Sequence, residues 1–381
     1  LTKAILKRLE SDVPVGCFLS GGADSGLVTA LLAQHSSEPI RTFSVGFSYE
    51  DHNELPLARQ LAQRYGTHHT ELIVEPSIIE DLPQILSAFG EPFADASALP
   101  SWYIARAIRR DVKVALSGDG GDELFGGYYD YPIAHLADEH LAATKGQGVP
   151  TLKRYSHAVL RRVGLSKENP GLSEHYVRME PWERLYRQMG FSPKVDQQLY
   201  APDFPAASRN FAREYLAKSW DAANQLSLTD SLFEASLNTR LLNDYLVKVD
   251  RTSMAHALEV RSPFLDHHLA EFAALLPNHL KLKGGTQKYL LRKLSQKHID
   301  PDFFRRPKKG FGVPLKHWLR DELKGFATSI LFSRSSWLGS IFNRSEIKRI
   351  FNEHFQKTGD HADRIWALIC LESWVCHRVQ K

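Results

Sequence analysis

Residues 13–35 read VPVGCFLSGGADSGLVTALLAQH. The first eight residues are a short β-prone run, and from Asp24 the apolar residues recur at helical spacing. Between them, Gly21-Gly22 lets the chain turn tightly. Strand, glycine turn and helix in immediate succession start a crossover, and the same alternation continues outward from it. Further candidate strands are IRTFSVGF (40–47), HHTELIV (68–74) and KVALS (113–117). The candidate amphipathic helices are DSGLVTALLAQH (24–35), NELPLARQLAQRYG (53–66) and SALPSWYIARAIRR (97–110). Alternation of this kind implies a parallel sheet buried on both faces, an α/β fold.

After Tyr131 strand-like runs nearly vanish. Residues 227–249 and 361–379 carry helical apolar spacing, so a mostly helical subdomain is expected over 136–381, behind an α/β core over 1–135. Pro150, Pro181 and KENPG (167–171) are expected to punctuate loops. At about 150 residues per domain, 381 residues suggest two to three structural units. No repeat of solenoid period is visible. With 43% hydrophobic and 24% charged residues the composition is globular, which excludes fibrous and disordered classes. No apolar run approaches the roughly 20 residues of a membrane span, so no membrane role is expected. Forty-eight basic against 44 acidic residues leave +4, mixed along the chain, and a nucleic-acid partner is disfavoured. Three cysteines (Cys17, Cys370, Cys376) and no signal-peptide pattern fit a reducing cytoplasm. Leu1 in place of Met suggests an excised fragment.

Two glycine-rich loops carry the chemistry. In the first, Ser20, Gly21, Gly22, Asp24 and Ser25 combine exposed backbone N–H groups, a helix start and two hydroxyls, which together make an anion site. The spacing is not that of a P-loop and lacks its lysine. A carboxylate beside phosphate oxygens requires a cation between them, and Mg2+ suits a few carboxylates plus substrate phosphates. The plainer alternative makes Gly-Gly a turn and Asp24 a helix cap. The second loop, SGDGGDELFGGY (117–128), follows a candidate strand. Loops at the carboxyl ends of parallel strands share a crevice, so it can face the first loop across a ligand. Its carboxylates lack EF-hand spacing. Asp122 is the second candidate Mg2+ ligand, against the reading of an acidic turn.

The segment at Ser20–Ser25 resembles the S-G-G-x-D-S pyrophosphate loop of the N-type ATP pyrophosphatases. The ordered motifs SGDGGDELFGGY, EVRSPFLD (259–266), QKYLLRKL (287–294) and PKKGFGVPLKHWL (307–319) resemble the synthetase domain of the glutamine-dependent asparagine synthetase family, over a stretch from about Val13 to beyond Leu319. The resemblance implies an adenine nucleotide alpha hydrolase-like core and a carbon–nitrogen ligase. ATP would activate aspartate as β-aspartyl-AMP, releasing pyrophosphate, and ammonia would displace AMP. It assigns Ser20, Gly21, Gly22, Asp24, Ser25, Ser117 and Gly118 to ATP and pyrophosphate. Phe18, Val45 and Gly118 match positions whose backbone holds the adenosine. Asp24 and Asp122 would share Mg2+, and Lys288 matches the catalytic lysine. Asp119 stands where many members carry a glutamate that helps form and consume the acyl-adenylate.

Full-length members carry a glutaminase domain ahead of this one, opening on a nucleophilic cysteine. Cys17 lies inside the first expected strand, so this chain is not expected to hydrolyse glutamine. Nitrogen would come from that domain in cis, another protein or free ammonia, and a homodimer is a candidate assembly. Related domains amidate or cyclise other carboxylates, such as sugar uronates and β-lactam or lasso-peptide precursors. A noncatalytic nucleotide-binding module and a tRNA-modifying enzyme are further alternatives.

The remaining features are weaker. Lys288 and Arg292, four apart, would share a helix face. Lys248 and Asp250 fall in another family segment. The pairs His68-His69 and His267-His268 read as structural or surface histidines, Trp318, Trp366 and Trp374 as core, and RRPKKG (305–310) as a solvated or phosphate-neighbouring basic loop.

Overall fold

The computed structural model describes residues 1–49, 53–74, 80–145, 172–188, 193–222, 226–300 and 312–379. The stretches read as loops around Pro150 and at 167–171, the basic loop 305–310 and the start of the PKKGFG motif lie outside the described residues.

The α/β half runs α1 (Thr2–Lys7), β1 (Val15–Phe18), α2 (Ala23–Gln34), β2 (Arg41–Phe47), α3 (Leu55–Arg64), β3 (His68–Val74), α4 (Leu82–Phe89), α5 (Ala98–Ile108), β4 (Val114–Leu116) and α6 (Gly121–Phe125). All strand pairings are parallel and the order is β3-β2-β1-β4-β5. The chain builds outward from β1 to β3, then α4 and α5 carry it back to β4 on the other side of β1. The strand order therefore reverses between β1 and β4. At such a point consecutive loops diverge and leave a crevice at the carboxyl ends of the strands.

The fifth strand is β5 (Glu259–Arg261), which sequence reading did not count as a strand. Three residues are too few to show a period. Its pairing with β4, Val114 opposite Glu259, joins the sheet to the far end of a long helical excursion. That excursion includes α7 (Asp130–Lys145) and the helices Pro181–Gln188, Ala206–Asp221 and Leu228–Ser236. They close over a second core of Tyr131, Trp182, Trp220 and Phe233. Residues 227–249, read as one helix, are interrupted by π-helical turns over Leu237–Tyr245 before the helix Leu246–Met254. No helix among the described residues is long and apolar enough to cross a membrane.

α2 departs from the amphipathic reading: every residue from Ser25 to Leu32 is buried. The sheet covers one side, while α1 and the helix Tyr289–Ser295 pack on the others. Gly26 allows this closeness, since a Cβ there would lie 3.0 Å from both Ile299 and Leu61. The C-terminal helices pack on α4 through Trp318, Trp366, Ile365 and Ile369. Trp318 and Trp366 are buried and Trp374 is half-buried. Cys17 and Cys370 are buried, and burial raises both thiols, Cys17 to about 12.

Directly after β5, Pro263–Leu265 form a 3-10 turn that places Phe264, 0% exposed, edge-on to Phe125 of α6 at 6.2 Å. Phe264 thus props the second loop from beneath. Replacing it by alanine is expected to cost about 3–5 kcal/mol. A fall in the urea unfolding midpoint measures that loss, and an unchanged midpoint would show the prop to be dispensable.

Candidate functional site

Both glycine-rich loops leave the carboxyl ends of β1 and β4, adjacent strands at the reversal point. In the first, Gly22 is the N-cap of α2, so the opening N–H groups of the helix face the crevice. Ser20 Oγ lies 2.8 Å from Ser25 Oγ and accepts from Gly22 N at 3.1 Å, while Ser25 Oγ accepts from Ser20 N at 3.1 Å. The hydroxyls brace the loop. β2 holds its base, with Leu19 N donating to Phe43 O at 2.8 Å and Ser44 Oγ donating to Leu19 O.

The second loop crosses directly over the first. A Cβ on Gly118 would sit 2.9 Å from Ser25 N, and one on Gly121 would sit 2.8 Å from Asp24 Cγ. Gly120 adopts φ +88°, in the left-handed region where glycine carries no Cβ penalty. Ser117 is buried and tied to the turn after β5, its Oγ 3.0 Å from Ser262 Oγ and its N donating to Arg261 O at 2.9 Å. Phe18, the last residue of β1, and Val45 of β2 are half-buried and pack against the core cluster that includes Phe43.

Lys288 enters from the far end of the chain. Its ammonium donates to Asp24 Oδ2 and, at 2.7 Å, pairs with Asp122 Oδ1. Burial works against the charge, yet Asp122 and Asp24 outweigh it and hold the proton well above the ordinary lysine range. Lys288 is therefore a fixed cation. It is not on a helix face as expected from its spacing to Arg292. It is the residue before the helix Tyr289–Ser295, at φ +51°. A left-handed non-glycine residue costs of order 1–3 kcal/mol. Two ion pairs and the Gln287 side chain, which donates to Gly127 O at 2.8 Å, hold it there. Gly127 has no side chain for the same reason: a Cβ would overlap Asp122 Oδ1 and Lys288 Cε.

Asp24 and Asp122, expected to share Mg2+, thus converge on one point, at present bridged by the lysine. Among the described residues no group of three or more His, Cys, Asp or Glu is arranged to hold a metal ion. The two carboxylates nonetheless fit a magnesium completed by substrate phosphates. Asp24 Oδ1 is buried and has no hydrogen-bond partner among the described residues, leaving an oxygen for such a ligand. Asp119 is half-buried; burial raises its carboxyl, opposed by the Ser117 hydroxyl and the Lys248 charge.

Sequence reading found no clear role for Lys248, and it missed its partners. Lys248 is buried and donates to Asp95 Oδ2 and Ser97 Oγ, both at 2.7 Å, with its ammonium 4.7 Å from the Tyr245 ring centroid. Asp250 is exposed. The π-helical turns present Asp244 to the same cluster, and π-helical geometry is frequent at functional sites. Glu123, buried, accepts from Tyr128 Oη at 2.5 Å, with Arg240 over the Tyr128 ring. Of the histidines, His69 Nδ1 is 2.9 Å from Thr42 Oγ1, while His68, His267 and His268 are exposed.

Asp95 and Asp244 titrate in opposite directions. Burial pushes Asp95 up, but Lys248 and Ser97 overcome it and set it at about 2; burial and the facing Asp95 raise Asp244 to about 7. An unfolded carboxyl titrates near 4, so between about pH 4 and 7 the folded chain binds the Asp244 proton more tightly than the unfolded one. That contribution is full below about pH 4 and declines as pH rises through 7. Asp244→Asn is expected to stabilise the protein relative to wild type at pH 8 and not at pH 4, in paired urea titrations. Parallel pH profiles would contradict the assignment.

The family model described as asparagine synthase matches residues 1–376. Asparagine synthetase [glutamine-hydrolyzing] 1 of Bacillus subtilis is 30% identical over 98% of this chain and 58% of its own length. A putative asparagine synthetase [glutamine-hydrolyzing] of Mycobacterium tuberculosis is 32% identical over 98% of the chain and 56% of its length. A Penicillium rubens protein named amidase chyE is 26% identical over 84% of the chain. The chain spans little more than half the length of these curated relatives. With the profile covering nearly every residue and the matched loops meeting at the strand reversal, the chain belongs to the asparagine synthase family.

Proposed function

We propose that the chain is the ATP-dependent synthetase part of an amide ligase that converts aspartate to asparagine through β-aspartyl-AMP. The observation that carries this reading is the Lys288 ammonium held between Asp24 and Asp122, carboxylates delivered by two loops that share one crevice. A carboxylate does not react with ammonia at neutral pH, because oxide is a poor leaving group. In the first step a β-carboxylate oxygen bonds to the α-phosphorus of ATP, and the bond to the bridging oxygen breaks with its electron pair leaving on pyrophosphate. In the second, the ammonia nitrogen bonds to the acyl carbon, the bond to AMP breaks, and the nitrogen loses a proton.

Negative charge grows on the phosphorus oxygens and the departing diphosphate, so preorganised cations dominate the barrier. Lys288 is such a cation, charged throughout. The first turn of α2 presents N–H groups to the same anion. Asp24 and Asp122 would hold Mg2+, which when bound neutralises polyphosphate oxygens. Asp119, on the same loop as Asp122, would take the proton from the attacking nitrogen. Nitrogen would arrive as ammonia, free or from a glutaminase domain such as the relatives' names imply. Adenylation of a different carboxylate is the second reading, favoured by the amidase-named relatives.

Incubation with ATP, magnesium, ammonia and a panel of acids should give pyrophosphate release that requires aspartate. Release dependent on another acid instead would transfer the function to the second reading. Lys288→Ala should lower turnover by at least ~100-fold with ATP binding largely kept; wild-type turnover would mean a different cation does the work. Gly127→Ala should reproduce the loss in a folded protein by displacing the Lys288 side chain, and full activity in that variant would contradict the packing argument.

A further inference from the structure

Arg240 and Tyr245 lie five positions apart on the π-helical turns Leu237–Tyr245. Bonding from i to i+5 stacks such positions on one face, where α-helical winding would turn them apart. The Arg240 guanidinium accordingly lies over two phenol rings, 5.1 Å from the Tyr245 centroid and 4.6 Å from that of Tyr128. The two rings are themselves 6.0 Å apart. Tyr128 directly follows Gly127, the glycine whose missing side chain leaves room for Asp122 and Lys288 Cε. A chain of contacts thus ties Arg240 to the second site loop.

Attraction to a ring face orients a guanidinium without using its N–H groups. Among the described residues those N–H groups make no hydrogen bond and no ion pair, although the side chain is half-buried. The surrounding carboxylates are engaged elsewhere. Asp244 faces Asp95, Asp130 is 3.4 Å from Arg187 Nε, Glu123 accepts from Tyr128 Oη, and Asp119 is set against Ser117 and Lys248. An oriented guanidinium with an unused fork suits an incoming carboxylate, whose two oxygens match it. Phe18 and Val45, expected at the adenosine, belong to β1 and β2, so the acid is left the β4 side, where Tyr128 ends the second loop. Aspartate has a carboxylate to spare for this contact, since only one of its two attacks phosphorus.

We propose that Arg240 is a specificity-determining residue, whose guanidinium fork holds the non-reacting carboxylate of a dicarboxylate substrate while the other is adenylated. The assignment rests on the adenylation reading above and narrows its acid to one with two carboxylates, aspartate among them. Arg240 exchanges neither proton nor electron pair in that step.

Pyrophosphate release by the purified chain, with magnesium and ammonia, is measured against aspartate and, separately, against ATP concentration. Arg240→Gln should raise the aspartate KM roughly 10- to 100-fold, the worth of charge-assisted hydrogen bonds, and keep the ATP KM at the wild-type value. Arg240→Lys, which retains charge without the fork, should give a smaller rise and decides the matter should the glutamine variant fail to fold. If another dicarboxylate proves to be the acid, the same rise is expected for it. Parallel rises in both constants mark a purely structural role and overturn the proposal. An unchanged acid KM in the folded variants, or wild-type release that depends on an acid with one carboxylate, overturns the Arg240 assignment alone. A wild-type chain that releases pyrophosphate with no acid overturns the adenylation reading with it.

Discussion

The structure depends on one electrostatic arrangement, a buried ammonium between two carboxylates that come from separate loops. None of the three charges is stable there alone, because taking an ion out of water costs several kcal/mol unless a partner of opposite sign is close. Together they fix the relative positions of three chain segments. The backbone accepts local strain to make this possible in the left-handed conformation of Lys288, while glycines at 120 and 127 supply the positive φ and the space that a side chain would deny.

The sheet explains why these segments can meet. The loops after β1 and β4 are neighbours only because the strand order reverses between them. Had the crossover through α4 and α5 returned to the β3 edge, the second loop would stand several strands away. Neighbouring parallel strands lie about 4.8 Å apart, which puts the two loops within side-chain reach of each other. The third segment arrives through packing, since the helix after Lys288 lies on α2 and α6.

Much of this was legible in the residues. The alternation of apolar runs around residues 13–117 specified a parallel α/β core, and glycines at the ends of two strands marked the places where a backbone would approach an anion. What was hidden had physical causes. β5 is too short to display alternation, and its strand character comes from pairing with β4. α2 is enclosed on all sides, so its burial leaves no polar face to betray it. The π-helical turns that aim Asp244 inward depend on tertiary contacts, not on local propensity. Lys288 was identifiable by family resemblance, but its left-handed backbone follows from attraction to two carboxylates more than a hundred positions away.

The pairing of β4 with β5 bears on how the chain acquires its shape. The two partners are separated by well over a hundred residues, and the turn after β5 is what braces Ser117. Contacts between such distant positions form slowly, because the loop between them must close before the pairing repays it. During synthesis the amino-terminal strands can associate early. The crevice can mature only after the ribosome has released the β5 turn and the helix beyond Lys288, so a partly made chain would hold the first strands of the sheet with Asp24 and Asp122 still lacking the lysine that joins them.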